Sequence, residues 1–331
     1  MRTATKVSAF ALGLVVAFGG AWTVGAAAGP FGANTAPSDD HPGDDQENGS
    51  VDQAATGQPD RADRLPGLAA TDNGYTLQLS ENSVVVGVPT TISFRILDEQ
   101  AAPITSYAVE HEKRLHLILV RRDGTGYQHV HPDLAADGMW STTVTVAAAG
   151  TYRLYADFKP EGGTKTTLGA DIDAPGQFQP QRVDDPVRTD TVDGYEVTLD
   201  GELQAGRSST VTATITRNGQ PVADLQPYLG AYGHLVTLRS ADLGYLHVHP
   251  LGEPGDGRTR PGPRVQFAVE VPSAGIYRLY LDFQHQEQVR TAEFVLDVTQ
   301  SNATHTNAPS APFSAPNQPT SSAPDHGGHG G

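Results

Sequence analysis

The chain has 331 residues, with 22 Lys+Arg against 38 Asp+Glu for a net charge of −16, and it contains no cysteine. Its length allows about two domains of roughly 100–200 residues each, and its acidity excludes nucleic acid as a main partner. Without thiols there are no disulfides, no thiolate metal sites, no cysteine nucleophile and no type-1 copper, so any metal chemistry falls to carboxylates and the 12 His.

The N-terminus reads as an export signal. Arg2 and Lys6 precede an uncharged run from Val7 to Gly29, and the next charge is Asp39. Val7 to Phe18 has the length of a signal-peptide apolar region, with Ala26, Ala27 and Ala28 suited to cleavage. The whole run is also long enough to serve as an uncleaved membrane anchor. Residues 1–29 are therefore a signal peptide or anchor, the chain's one expected contact with membrane, and the protein is expected outside the cytoplasm. Residues 30–64 are acidic and rich in Pro, Gly, Asn and Gln, too poor in apolar groups to offset the entropy of ordering, and read as a linker. Residues 301–331, rich in Pro, Ser and Ala and carrying His326 and His329, read as a disordered tail.

Between them lies an internal repeat. His116 to Pro132 (HLILVRRDGTGYQHVHP) aligns without gaps with His234 to Pro250 (HLVTLRSADLGYLHVHP) at an offset of 118. Further on, GTYRLYADF from Gly150 aligns with GIYRLYLDF from Gly275 at an offset of 125. The seven extra residues fall in the Gly/Pro-rich loop LGEPGDGRTRPGP of the second copy. Two copies of one module follow, at 65–173 and 187–300.

Both copies have strand periodicity. Thr91–Ile96, Ser141–Val146, Thr151–Phe158, Thr210–Ile215 and Val265–Val271 alternate or run β-branched between Gly, Pro, Asp and Asn clusters. No window carries a helical stripe. The expected fold is all-β, two tandem immunoglobulin-like β-sandwiches.

Six of the His form two identical triplets: His116, His129, His131 and His234, His247, His249. Leu115–Arg121 and Gly126–His131 flank Asp123-Gly124, a hairpin signal. Around that turn, opposing residue numbers sum to 247, so His116 faces His131, His129 faces Ile118, and all three imidazoles share one side. The same pairing in the second copy sums to 483 and sets His234 against His249. Three converging imidazoles suit copper or zinc. Asp157 and Asp282, at equivalent positions in the two copies, are candidates for a fourth ligand or for a carboxylate that orients a ligating His. Tyr127 and Tyr245 fall on the His side. A metal-free alternative stands beside this reading, in which the His are hydrogen-bonded core residues. His111 reads as loop, His285 as a surface residue, and Arg153 and Arg278 as cross-strand packing or ion-pairing groups.

With DLQPYLGAYGHLVTL (Asp224–Leu238), LGYLHVHP (Leu243–Pro250) and GIYRLYLDFQH (Gly275–His285) in view, the chain resembles a family of exported actinobacterial-type tandem β-sandwich proteins of unassigned function. These are similar in outline to copper-handling sandwich domains of bacterial envelopes. The string HVH also resembles the copper strand of Cu,Zn superoxide dismutase, but the zinc-binding His and the disulfide cysteines of that enzyme are missing. Neither a cupin pattern nor GxSxG, HExxH or a phosphate-cradling loop is present, and no enzyme is expected. The sequence-level expectation is an exported envelope protein that binds copper in preference to zinc through two three-His sites, for sequestration or delivery. The alternative is a structural or adhesive envelope module whose partners are proteins.

Overall fold

Burial along the strands follows two patterns, and their difference explains the architecture. Some strands alternate, as in Thr90–Leu97 and Arg264–Val271, with every second side chain inside. Others are buried throughout, as in Leu115–Arg121, which requires cover on both faces. The computed structural model describes residues 65–181, 185–246 and 248–299. The expected export segment, the linker to residue 64, the tail from 301 and His247 lie outside them.

The first module contains β1 (Thr71–Asp72), β2 (Tyr75–Leu79), β3 (Thr90–Leu97), β4 (Leu115–Arg121), β5 (Gln128–Val130), β6 (Asp133–Leu134), β7 (Trp140–Val144), β8 (Gly150–Phe158) and β9 (Thr166–Ala174). The second contains β10 (Thr189–Val192), β11 (Tyr195–Asp200), β12 (Arg207–Arg217), β13 (Gln220–Pro221), β14 (His234–Arg239), β15 (Gly244–Leu246), β16 (Val248–Pro250), β17 (Arg264–Val271), β18 (Gly275–His285) and β19 (Gln288–Val298). No helix occurs among the described residues. Each module is an antiparallel two-sheet sandwich of immunoglobulin-like type. One sheet runs β1-β2-β3-β7-β6 and its counterpart β10-β11-β12-β17-β16; the other runs β5-β4-β8-β9 and its counterpart β15-β14-β18-β19.

The sheets that carry the repeated HLILVR and YRLY segments are the ones buried on both sides. Leu115, Leu117 and Leu119 of β4, with Leu154, Ala156 and Phe158 of β8, face the first module's own core around Phe94, Trp140 and Tyr107. The intervening Ile118, Val120 and Tyr155 face outward into a separate apolar cluster with Val236, Leu238, Leu243, Tyr245 and Tyr280 of the second module. The modules therefore pack through these two sheets, and the cluster is a third core made by both.

Its polar contacts are reciprocal. Tyr155 donates to the Leu243 carbonyl of the other module at 2.5 Å, and Tyr280 donates to the Gly124 carbonyl at 2.6 Å. Tyr127 stacks on Tyr280 with centroids 4.2 Å apart, and Tyr245 packs on Tyr155 at 5.6 Å. Gly124, at φ 77°, lets the first hairpin turn sit beneath Arg278, where a Cβ would overlap that side chain. Arg153 makes the expected cross-strand ion pair with Asp171 at 2.9 Å and also holds the carbonyls of Gly67 and Leu68. Pro66, in the same segment, accepts from the Tyr245 amide of the second module at 3.0 Å.

Candidate metal centre

The first His hairpin keeps its expected register. Leu117 pairs with Val130, Ile118 with His129 and Leu119 with Gln128, all summing to 247. The turn differs in detail. Gly124 donates to the Arg121 carbonyl and Arg121 to the Thr125 carbonyl, so Arg122-Asp123 occupy the corners, and Gly126 at φ 65° adds the residue that restores the sum.

His116, Ile118 and Val120 share the outward face of β4, which sets His116 at the rim of the inter-module cluster. His129 and His131 arrive from β5 and the residues after it. One ring nitrogen from each of the three lies within 4.8 Å of the others. His116 Nδ1 is 3.1 Å from His129 Nε2 and 3.3 Å from His131 Nε2. Metal–nitrogen bonds of about 2.0–2.1 Å at a tetrahedral angle separate the ligand nitrogens by about 3.3 Å.

The outer nitrogens are already committed. His116 Nε2 lies 3.1 Å from the Glu110 carbonyl, and His129 Nδ1 lies 2.8 Å from Asp282 Oδ2. Both partners only accept, so both of these nitrogens carry their protons. The inner nitrogens, His116 Nδ1 and His129 Nε2, lie 3.1 Å apart, a contact that takes one proton or one metal cation between them. Burial, with His129 beside it, lowers His116 to a pKa of about 4. Burial and the neighbouring His129 and His116 lower His131 to about 3. Both rings are neutral at pH 7 and so are competent ligands.

Asp282 belongs to the second module, opposite His234 on the β14–β18 ladder. The sequence reading pairs it with His of its own copy; in the folded chain it serves the first copy's His129, because the two sheets face each other. Its second oxygen accepts from Thr291 at 2.6 Å. Asp157, its counterpart opposite His116 on the β4–β8 ladder, accepts from Thr167 at 2.8 Å and lies 3.7 Å from Lys165.

His234 and His249 of the second triplet do not face each other as expected. Thr237–Leu246, Leu238–Tyr245 and Arg239–Gly244 do sum to 483, but the chain leaves this sheet after Leu246. Val248–Pro250 joins β17 instead, and His249 is exposed opposite Ala268. β17 pairs with Val248–Pro250 along Phe267–Val269, whereas the equivalent edge of β7 pairs only with Asp133 and Leu134, through Ser141 and Trp140. His234 instead joins the first triplet: its ring is parallel to that of His116 within 7° at 5.6 Å, and lies 5.0 Å from His129. Desolvation and the surrounding His push its pKa well below the ordinary histidine value.

Three further residues need correction or addition. His111 is in a turn, at φ 49°, yet its ring is 5.8 Å from His234 and 6.1 Å from His116. His285 is buried rather than on the surface, bonded to the Tyr195 hydroxyl at 2.6 Å and to Asp224 at 3.0 Å. Tyr127 is buried with its hydroxyl lacking a hydrogen-bond partner. No sequence signal identifies the Glu110 carbonyl contact.

Against known proteins, residues 69–175 and 190–300 each match a family described as a domain of unknown function, DUF8832. Comparison with curated proteins finds no match. Similar solved structures include the Escherichia coli adhesin FdeC, at 18% identity over 70% of this chain and 66% of that one, with a TM-score of 0.23. The bacterial integrin-binding protein invasin is 12% identical over 69% of this chain and 39% of its own, with a TM-score of 0.20. InvD of Yersinia pseudotuberculosis is 14% identical over 71% and 61%, with a TM-score of 0.23. The chain spans less than two thirds of each, and the likeness is one of fold alone.

Proposed function

The chain belongs to the DUF8832 family of domains of unknown function, in two copies, and we propose that it is an extracytoplasmic cell-envelope protein that binds one transition-metal cation at the junction of its modules. His116, His129 and His131 are the ligands, copper is preferred to zinc, and the role is sequestration or delivery. One observation carries this reading. Two imidazole nitrogens face each other at 3.1 Å, each ring oriented by an acceptor on its far nitrogen. That contact takes a proton or a metal cation between them, and with His131 Nε2 3.3 Å from His116 Nδ1 the three nitrogens converge as a metal site requires. A carboxylate or carbonyl behind each ligating imidazole is the usual support of a metal-binding His. The basic, then uncharged, N-terminal run supports export.

A second reading, a structural or adhesive envelope module with protein partners, is favoured by the buried apolar layer that joins the modules into a stiff pair. In that reading the His network only completes the interface.

Titration of the chain with Cu(II) and Zn(II), beside His116→Ala, separates the two. One cation bound per chain and lost in a folded variant supports the metal site. No binding by the wild type, with the variant merely destabilised, supports the structural module.

A further inference from the structure

The ligands named above all come from the first module, yet the second module touches them at two points. His129 Nδ1 is bonded to Asp282 of β18 at 2.8 Å, both side chains being almost wholly buried. His234 of β14 brings a fourth imidazole to the cluster. Five of the six ring pairs among His116, His129, His131 and His234 have centroids 4.8–5.6 Å apart, while the nitrogens that converge within 4.8 Å are those of His116, His129 and His131, so a fourth bond takes a turn of the His234 ring toward them. Imidazoles bound to one tetrahedral cation at about 2.0–2.1 Å place their centroids about 5 Å apart. Among the described residues, the His234 ring contacts those of His111, His116 and His129.

We infer that the cation site is shared between the modules, with His234 as a fourth ligand and Asp282 positioning His129, so that metal loading clamps one sandwich to the other. This deepens the metal reading and rests on it. The rest of the junction includes apolar packing, two tyrosine hydroxyl bonds, the Tyr245 amide bond to the Pro66 carbonyl and the Arg278 bond to the Gly124 carbonyl, which a cation held from both sides would reinforce. By linkage, whatever loosens the junction must also weaken the metal, and removing metal must loosen the junction.

The test uses the full chain and Cu(II). Nitrogen hyperfine structure in the electron paramagnetic resonance spectrum counts the bound imidazoles in the wild type, and calorimetry gives the affinity of His234→Ala, His234→Gln and Asp282→Asn. Protease cleavage in the connector around residues 175–189 is followed with metal and with chelator. The sharing inference expects four nitrogens, a roughly 10–100-fold weaker affinity in the His234 and Asp282 variants, and slower cleavage when metal is bound. Three nitrogens, unchanged affinity in the folded variants and metal-independent cleavage would overturn it while leaving the metal site standing. Absence of any wild-type binding would overturn the metal reading itself. If the variants do not fold, the wild-type nitrogen count and cleavage rates decide.

Discussion

The two copies carry the same HVHP string, and the fold uses it differently in each. In the first, His129 pairs opposite Ile118 and His131 follows it into the cluster. In the second, His249 lies on the opposite sheet, exposed beside Ala268. The strands concerned are three residues long, so a few backbone bonds decide which sheet they join. β17 takes the second copy's strand along Phe267–Val269, while β7 pairs only with Asp133–Leu134. Identity of a short motif therefore does not guarantee identity of its surroundings, even within one chain.

The comparison breaks most sharply at the ligands. His116→Ala is expected to lower copper affinity by more than the roughly 10–100-fold typical of losing an outer partner, whereas His249→Ala leaves it within about twofold; isothermal titration of both variants checks this. Equal losses at the two positions would restore the two-site expectation.

Next come the apolar residues that only the paired modules bury. Ile118→Ala and Leu238→Ala should each cost about 2–4 kcal/mol in denaturant unfolding, although each lies on the face that a lone sandwich would expose. Values near zero would mean that the modules do not pack in solution.

Acid supplies the third test, on metal-free protein. The unfolded chain protonates His116 near the ordinary value of 6.5, the folded chain only near 4. Between those values the unfolded state binds more protons, so stability is full above about pH 6.5 and falls as pH drops toward 4, by on the order of 2 kcal/mol for this group. His129, His111, His131 and His234 surround it, with Asp157 opposite on the ladder. His116→Gln should flatten the pH dependence seen in urea titrations at successive pH values.

The smallest effect is the most symmetric. Tyr155→Phe and Tyr280→Phe each remove one hydroxyl bond to the opposing module and should cost about 1 kcal/mol apiece, measured by thermal unfolding. A large inequality would mean that the reciprocal contacts are not equivalent.

Much of this was legible in the residues. Period-two patterning located β3, β8, β12 and β17, and the repeat identified two copies of one sandwich. The turn signal and the face rule put His116, His129 and His131 together even though the exact turn differs. The LILV run of β4 is apolar on both faces, which a sandwich sheet open to water would not need. His285 reads as a surface residue because its partner Tyr195 lies 90 residues away.

The sequence by itself determined the strands, the register of the first His hairpin and the convergence of His116, His129 and His131, because alternation and turns act over a few neighbouring residues. Only the tertiary structure decided that the two His-bearing sheets face each other, that Asp282 serves the other module's His129, and that His249 leaves while His234 stays. Those outcomes depend on burying two apolar faces against one another and on which sheet edge a three-residue strand joins, distant terms that no local pattern encodes.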